Sequence, residues 1–460
     1  MADQDGNSLR VFAGELPVAT LTLQPEAPEF KLVYEPDWVT NKRAFALSPH
    51  LPLDGAASSA SIRRFLENLL PEGRALDVTS RHANIQKSNV FGLIRHLGQE
   101  TTGALTFLPA GRTPQTMAHE CRPLTLAELQ QRISERNEVP FAIWDGKVRM
   151  SVAGYQDKLL VQRVGDRCYL VGGAQPSTHI LKPEPLSAAM PFMVANEHFC
   201  MRLVSRMSLR RYGVDQAATV TILRAPDPVL AVQRFDRRVV PDRFVECPGG
   251  VRLPAVERLH IIDGCQATDA PVTDKYERNM GNGPDVAHIR DGVGFGDLFA
   301  TRPYLRQPAV GIRRLTLWAI STLLTGNSDA HAKNISFLVG RAGLDVAQLY
   351  DLVSVLQYDA HQLEHSLAMA FGETFHLDGI KSFALAAFCE QCRVSRAFFA
   401  RELAALCEIA RVEAAAQSED PVYTGEEVAM VADIAALVVR RARLLQAMAR
   451  DIPRFKADLF

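Results

Sequence analysis

The first half of this chain is rich in strand-like hydrophobic patterns and its last third in helical ones, and that order limits the folds open to it. Up to about residue 240, apolar residues alternate with polar ones in short runs such as residues 19–23 and 159–162, which is typical of β-strands. From Ala309 onward apolar residues follow a helical spacing, as in residues 312–324 and 428–448. We predict an α+β fold with a β-rich N-terminal region and an all-α C-terminal lobe.

The composition bounds the number of domains and the kinds of partner. With 460 residues, 47% of them hydrophobic, the chain can bury more than one core, so we expect several domains. Lys plus Arg number 51 and Asp plus Glu number 52, so the overall charge favours neither nucleic-acid nor membrane binding. The sequence shows no signal-peptide pattern, and no apolar run approaches the roughly 18 residues of a membrane span. We therefore expect a soluble, cytoplasmic protein with no membrane partner.

The cysteine pattern gives no sign of a metal site. The eight cysteines are scattered, and only Cys389 and Cys392 are spaced as a CxxC pair. A zinc site would need a second pair of ligands at suitable spacing, and the sequence offers none. We expect reduced cysteines with structural roles.

The motif that says most about chemistry runs from Gly326 to Asn334. It places Asp329 five positions before Asn334, and a second acid, Asp351, follows an apolar run. A phosphoryl-transfer site needs this order, because one carboxylate accepts a hydroxyl proton while amide and carboxylate oxygens hold Mg²⁺. The motif departs from ordinary protein kinases, which have His-Arg before the catalytic Asp. The bare Asp-x4-Asn spacing also occurs in solvated loops. The other segments therefore have to decide between a phosphoryl-transfer site and a solvated loop.

A lysine and a glutamate upstream add to the phosphoryl-transfer interpretation. Lys182 closes the predicted strand of residues 179–182, from which its ammonium could reach the phosphates of ATP. Glu197 lies on the predicted helix that follows, where kinases keep the glutamate that fixes this lysine. A surface lysine at a strand end is the commoner explanation of a single lysine.

A short loop between two predicted strands is a candidate for binding phosphate. Its glycine would let backbone N–H groups approach a phosphate, and its lysine would add a positive charge. With a single glycine it is neither a Walker A loop nor the usual glycine-rich loop, and a plain hairpin remains the alternative. The residues of this candidate loop are Ser151, Val152, Ala153, Gly154 and Lys158.

The segment after the predicted strand of residues 229–232 is a candidate for contacting adenosine. We expect the backbone from Gln233 to Phe235 to meet adenine, with Phe235 packed near the base. Asp236 could bond the ribose. The alternative is a charged connector with one buried Phe.

Taken together, these segments resemble the HipA family of bacterial toxin kinases, whose fold is of the bilobal protein-kinase-like, phosphatidylinositol 3/4-kinase-like type. The matching pieces span residues ~65 to ~352 in family order. They are Phe65-Leu-Glu-Asn-Leu-Leu-Pro-Glu-Gly73, Ser151-Val-Ala-Gly-Tyr-Gln-Asp-Lys158, Leu181-Lys-Pro183, Asn196-Glu-His-Phe-Cys-Met201, Gln233-Arg-Phe-Asp-Arg237, Arg258-Leu-His-Ile-Ile-Asp-Gly-Cys-Gln266, Lys275-Tyr-Glu277, the Gly326–Asn334 motif and Tyr350-Asp-Leu352. The resemblance implies an N-terminal subdomain over residues 1–115, a kinase N-lobe over 116–240 and a helical C-lobe over 241–460.

The resemblance also implies roles for individual residues. Asp329 would be the catalytic base, and Asn334 and Asp351 would hold Mg²⁺. Ser151 matches the serine that family members autophosphorylate, a modification that adds nearly two negative charges and silences the kinase. The residues that would contact ATP or support its contacts are Lys182, Glu197, His331, Val152, Ala153, Gly154, Lys158, Gln233, Phe235 and Asp236. Tyr155, Asp157 and Gln233 depart from the family pattern without removing a group that the chemistry needs.

The function that this resemblance implies is that of a serine/threonine protein kinase toxin from a type II toxin–antitoxin pair. Its target would be a translation component, as an aminoacyl-tRNA synthetase such as glutamyl-tRNA synthetase is in the family, and its action would favour persistence. Its partner would be a small helix-turn-helix antitoxin of the HipB type, which would carry most of the contact with DNA. Two alternatives stay open: a kinase of this fold with a different substrate, and a catalytically silent co-repressor that binds an antitoxin.

Overall fold

The computed structural model describes residues 6–24, 26, 29–141, 143–148 and 156–460. The predicted loop residues Ser151, Val152, Ala153 and Gly154 lie outside the described residues. The chain divides into two units, each built from three stretches of sequence. Unit one comprises Met1–Pro183, Leu223–Ile262 and Phe337–Leu344, and unit two comprises Glu184–Ile222, Asp263–Ser336 and Asp345–Phe460. The three domains expected from the sequence, with boundaries after residues 115 and 240, stay a prediction.

Strands dominate the first half of the chain and helices the second. The elements up to Pro183 are β1 (Ser8–Ala13), β2 (Leu16–Gln24), β3 (Glu29–Tyr34), α1 (Pro36–Thr40), α2 (Ser59–Asn68), α3 (Gly73–Ala83), α4 (Val90–Leu97), β4 (Leu105–Pro109), β5 (His119–Leu124), α5 (Leu126–Ser134), β6 (Ile143–Trp144), β7 (Lys147–Val148), β8 (Leu159–Val164), β9 (Arg167–Gly173) and β10 (His179–Pro183). The later elements are α6 (Met193–Tyr212), β11 (Val220–Ala225), β12 (Asp227–Gln233), β13 (Arg237–Glu246), β14 (Arg252–Arg258), β15 (Ile261–Asp263), α7 (Gly264–Thr268), α8 (Phe295–Ala300), α9 (Pro308–Thr325), β16 (Ser336–Gly340), β17 (Gly343–Val346), α10 (Ser382–Gln391), α11 (Arg396–Ser418) and α12 (Glu427–Ala449).

Two sheets form most of unit one. The first has the strand order β3-β2-β1-β4, and the second has the order β11-β12-β10-β8-β9-β5. In the second sheet β10 runs antiparallel to both β8 and β12, which places Lys182 opposite Leu230. Its apolar side chains pack with those of α5 into one core that includes Leu129, Ile133, Leu159, Val161, Leu181 and Val229. The predicted strands 159–162, 179–182 and 229–232 lie inside β8, β10 and β12.

A disulfide joins two parts of unit one. Cys121 in β5 and Cys247, just after β13, are bonded, with their Cα atoms 5.9 Å apart. The expectation of reduced cysteines is therefore wrong for this pair. The two residues are 126 positions apart, so their pairing depends on the tertiary fold rather than on a local pattern. The other six cysteines are buried and form no disulfide.

Helices dominate unit two, as the periodicity predicts. Leu315, Leu317, Trp318 and Leu323 on α9 are fully buried because α6, α11 and α12 pack around this helix. A helix that is apolar on all sides is expected at the centre of such a bundle. Among the described residues, no helix combines the length and the apolar character that a membrane span requires.

A small sheet separates the halves of the phosphoryl-transfer motif. Its strand order is β15-β16-β17, and β16 begins two residues after Asn334. These short strands were not predicted from the sequence. They matter to the site because the return from β17 brings the chain to Tyr350 and Asp351.

Candidate active site

The predicted catalytic loop begins where α9 ends. Gly326 has a φ of 69°, and its N–H bonds to the carbonyl oxygen of Thr322 3.1 Å away, which is a left-handed helix cap that favours glycine. A Cβ at this position would also lie 2.8 Å from Cδ1 of Leu356. The next residue, Asn327, is buried and accepts the N–H of Asp329 on its side-chain oxygen at 3.2 Å. The glycine and the asparagine before Asp329 therefore set the direction of the loop.

Asp329 has a fixed main chain and an exposed carboxylate. Its carbonyl oxygen accepts the N–H of His331 at 2.8 Å and the side-chain N–H of Asn334 at 2.9 Å. Its carboxylate Oδ1 accepts the hydroxyl of Tyr276 at 2.7 Å. Tyr276 is not among the site residues predicted from the sequence, although Lys275-Tyr-Glu277 is one of the segments that carry the resemblance.

His331 is buried between Tyr276 and two lysines. Burial, together with the nearby positive charges of Lys275 and Lys333, lowers the pKa of His331 to about 3 against the opposing effect of Asp351. The imidazole is therefore neutral at neutral pH. Its Nδ1 has no hydrogen-bond partner among the described residues. A buried ring nitrogen of this kind is suited to a polar contact with a ligand.

Two contacts bring Asp351 to the loop that carries Asn334. The hydroxyl of Tyr350 donates to the carbonyl oxygen of Lys333 at 2.7 Å, and it also bonds Ser336 Oγ at 2.8 Å. Asp351 itself has a φ of 57°, a left-handed conformation that few residues other than glycine, Asn and Asp adopt. Such a conformation costs free energy and is found most often at functional sites.

The donor set around this turn fits Mg²⁺. Asn334 uses its side-chain nitrogen on Asp329, so its amide oxygen is the atom suited to a cation, and Asp351 supplies a carboxylate. No cluster of three or more His, Cys, Asp or Glu side chains able to hold a metal occurs in the described part of the chain. Mg²⁺ does not need such a cluster, since it commonly takes one or two carboxylates together with substrate phosphates and water.

The predicted ATP-contacting residues of unit one lie on or near its second sheet. Lys182 is buried at the end of β10, and Lys158 is buried just before β8. Gln233 ends β12 opposite His179, and the N–H of Arg234 bonds the carbonyl oxygen of Thr178 at 2.9 Å. Glu197 is buried on α6 and belongs to unit two, so its pairing with Lys182 stays a prediction.

Asp236 is engaged in a buried ion-pair cluster. Its two carboxylate oxygens accept hydrogen bonds from Arg234 at 2.9 and 2.8 Å, and Oδ2 also accepts from Arg237 at 2.6 Å and from the N–H of Gly103 at 3.0 Å. Burial alone would raise the pKa of Asp236, but the guanidinium groups of Arg234 and Arg237 outweigh it and hold this pKa well below its usual range. These bonds favour a structural role and do not support the predicted ribose contact.

Comparisons with known proteins show the family of the chain. The HipA-like C-terminal domain matches residues 150–417, and the HipA N-terminal domain matches residues 9–108. The chain is 38% identical over 384 residues to the serine/threonine-protein kinase toxin HipA of Shewanella oneidensis, an alignment that covers 83% of each chain. It is also similar to the HipA chain in a solved complex of Shewanella oneidensis HipA, HipB and operator DNA, with a TM-score of 0.85 and 35% identity over 98% of this chain and 100% of that one.

The family match and the identity to a serine/threonine-protein kinase toxin define the class as serine/threonine protein kinases. The chain belongs to the HipA family.

Proposed function

We propose that this chain is a toxin kinase that transfers the γ-phosphoryl group of ATP to a serine or threonine hydroxyl of a protein. The observation that carries the proposal is the loop in which Asp329 is exposed. The side-chain N–H of Asn334 bonds the carbonyl oxygen of Asp329, and the hydroxyl of Tyr350, the residue before Asp351, bonds the carbonyl oxygen of Lys333. Phosphoryl transfer asks the protein mainly for positioning and electrostatic stabilisation, and this loop offers both.

The chemical step follows from the carboxylate of Asp329. The acceptor hydroxyl oxygen forms a bond to the γ-phosphorus, and the bond between that phosphorus and the β–γ bridging oxygen breaks. The hydroxyl proton moves to Asp329, and ADP leaves. The neutral imidazole of His331 adds no charge to the site, so it can contact a phosphate oxygen only as a hydrogen-bond donor.

Asn334 and Asp351 would hold Mg²⁺, which when bound neutralises charge on the transferred phosphate. Lys182 and Lys158 would contact the phosphates of ATP, and the backbone from Gln233 to Phe235 would meet adenine. Backbone N–H groups of residues 151–154 would contact the phosphates, and autophosphorylation of Ser151 would silence the kinase by adding negative charge there.

The substrate and partners are proposed from the family. We infer a target among translation components, an aminoacyl-tRNA synthetase such as glutamyl-tRNA synthetase, and a location in the cytoplasm. The matched Shewanella oneidensis complex contains HipA with HipB and operator DNA. By analogy, this chain would bind a small helix-turn-helix antitoxin of the HipB type and reach DNA mainly through it.

The test is transfer of labelled γ-phosphate from Mg-ATP by the purified protein, beside Asp329→Ala, with and without a cell extract. Label on Ser151 and on an extract protein, both lost in Asp329→Ala, would support the proposal and identify the target. Label on an extract protein other than a synthetase would support the kinase activity and replace the proposed substrate. No transfer by protein with unmodified Ser151 would favour the silent co-repressor.

A further inference from the structure

Tyr276 contacts the proposed catalytic base directly. Its hydroxyl donates to Oδ1 of Asp329 at 2.7 Å. A carboxylate has two oxygens, each able to accept more than one hydrogen bond. The bond to Tyr276 uses only part of this capacity, so the carboxylate can still accept the proton of an acceptor hydroxyl. A hydrogen bond to one oxygen also limits rotation of the carboxylate about its χ2 axis.

The phenol ring is held by its neighbours. It meets the imidazole of His331 edge-on, with ring centroids 5.0 Å apart and an angle of 87° between the planes. The ammonium of Lys275 lies 5.4 Å from the centroid of the ring. Lys275 and His331 are both buried, so the surrounding protein restricts the movement of both side chains away from the ring. The position of the hydroxyl is thus set by packing as well as by its own hydrogen bond.

The main chain on both sides of Tyr276 is bonded to the catalytic loop and to the segment facing it. The carbonyl oxygen of Lys275 accepts the N–H of Ala332 at 3.0 Å. On the other side, the N–H of Glu277 donates to the carbonyl oxygen of Ala368 at 3.0 Å, and Glu277 Oε2 accepts the N–H of Ala370 at 2.7 Å. The N–H of Ala368 in turn donates to the carbonyl oxygen of Ser328, the residue before Asp329, at 2.8 Å.

A glycine shows how closely this segment is packed. A Cβ at Gly292 would lie 1.9 Å from the carbonyl oxygen of Tyr276, far inside van der Waals contact. The N–H of Gly292 donates to the carbonyl oxygen of Glu277 at 3.1 Å. Tyr276 is therefore on a backbone that is fixed from three directions, which suits a residue that positions another and does not suit a mobile gate.

We propose that Tyr276 is a positioning residue that orients the Asp329 carboxylate for proton transfer from the acceptor hydroxyl. This inference rests on the proposed kinase function. Misplacing a catalytic group by about 1 Å can cost on the order of 10²-fold in rate. Loss of the hydroxyl alone should slow the transfer step and leave the binding of ATP as it is, because the hydroxyl bonds Asp329, whose proposed role is to accept the proton and not to hold nucleotide.

The variant that tests this is Tyr276→Phe, which keeps the ring and removes only the hydroxyl. The control is Tyr304→Phe, the same change at a residue that is 43% exposed and lies outside the Lys275–Glu277 segment. Initial rates of label transfer to cell-extract protein would be measured with Mg-ATP varied and the extract fixed. Binding of a non-hydrolysable ATP analogue would be measured in parallel by titration calorimetry.

We expect the apparent kcat of Tyr276→Phe to fall by roughly 10- to 100-fold, with the KM for ATP and the Kd of the analogue within about twofold of wild type. Tyr304→Phe should match wild type in all three. An unchanged kcat would overturn the inference. A raised kcat would also overturn it and would show instead that the Tyr276 hydroxyl competes with the acceptor hydroxyl for the Asp329 carboxylate. Parallel losses of kcat, analogue binding and thermal stability would show a structural role instead. If wild type binds the analogue but transfers no label, the proposed function fails first and the inference fails with it.

Discussion

The ammonium of Lys333 lies 2.5 Å from the carboxylate of Asp263, 70 positions earlier in the chain. The lysine side chain is 3% exposed and the aspartate side chain 13%. Asp263 also caps α7 by accepting the N–H of Gln266 at 2.8 Å. The start of α7 and the residue before Asn334 are therefore held by one buried ion pair.

Breaking this pair should cost stability. Lys333→Met leaves a largely buried carboxylate without its cation, so we expect the free energy of unfolding to fall by about 3 kcal/mol, within the range for such pairs. Urea titration would measure it. The matched control is Arg238→Met, which breaks the exposed pair with Glu257 and should cost less than about 1 kcal/mol. Equal losses in the two variants would mean that burial gives the Lys333 pair no special weight.

Removal of the charge at Asp351 should weaken the Mg²⁺-dependent part of nucleotide binding. Asp351→Asn keeps a residue type that tolerates the left-handed φ of 57°, so the turn should survive while the carboxylate is lost. We expect the Kd of an ATP analogue to rise by roughly tenfold with Mg²⁺ present, about 1.4 kcal/mol, and to change little in EDTA. Asp433→Asn, an exposed change on α12, is the control and should match wild type in both buffers. A Kd for Asp351→Asn that is unchanged in Mg²⁺ would remove Asp351 from the metal site.

The role of Asp236 can be separated from nucleotide recognition. Asp236→Asn leaves the buried Arg234 and Arg237 with Glu100, 3.8 and 3.7 Å away, as their only remaining carboxylate partner among the described residues, so we expect a stability loss of about 3 kcal/mol in urea titration. The ratio of the KM values for ATP and 2′-deoxy-ATP should not change, because the carboxylate is engaged by protein groups. Asp242→Asn, at an exposed residue of β13, should change neither quantity. Loss of the preference for ATP in Asp236→Asn would restore the ribose contact.

Burial of His260 should make the stability of the protein depend on pH. Its ring donates from Nε2 to the carbonyl oxygen of Leu47 at 2.9 Å, and burial, aided by Arg258, lowers the pKa of His260 to about 4. The unfolded chain takes up this proton at about pH 6.5, so stability is full above that pH and is lost as pH falls towards 4. Between pH 7 and pH 5 this residue should contribute about 2 kcal/mol to the loss of stability.

Urea titrations of His260→Gln at pH 7 and pH 5 would measure that contribution. The variant should show a loss between the two pH values that is smaller than in wild type by about 2 kcal/mol. His361→Gln removes an exposed imidazole and should leave the difference between the two pH values as in wild type. A His260→Gln protein with the wild-type pH dependence would assign the effect to other histidines.

The sequence predicted the parts of the site that are close together in the chain. Asp329 and Asn334 share one loop, so their spacing carries the signal of their joint use. Tyr276 is 53 positions from Asp329, and its role depends on the hydrogen bonds of the segment around it, which no local pattern records. The pairing of Asp236 with Arg234 was hidden for a different reason: adjacent charges indicate a solvated connector unless the burial of that connector is known. The hairpin of β13 and β14 was likewise missed because β13 is mostly exposed and lacks an apolar alternation.

The three stretches of sequence in unit one have a consequence for the order in which the enzyme matures on the ribosome. The last stretch, Phe337–Leu344, is made after the whole of the 326–334 loop. A nascent chain therefore carries Asp329 before unit one has received its final segment. A product released before residue 344 of 460 lacks part of both units, so interrupted translation yields fragments rather than a shortened but working kinase.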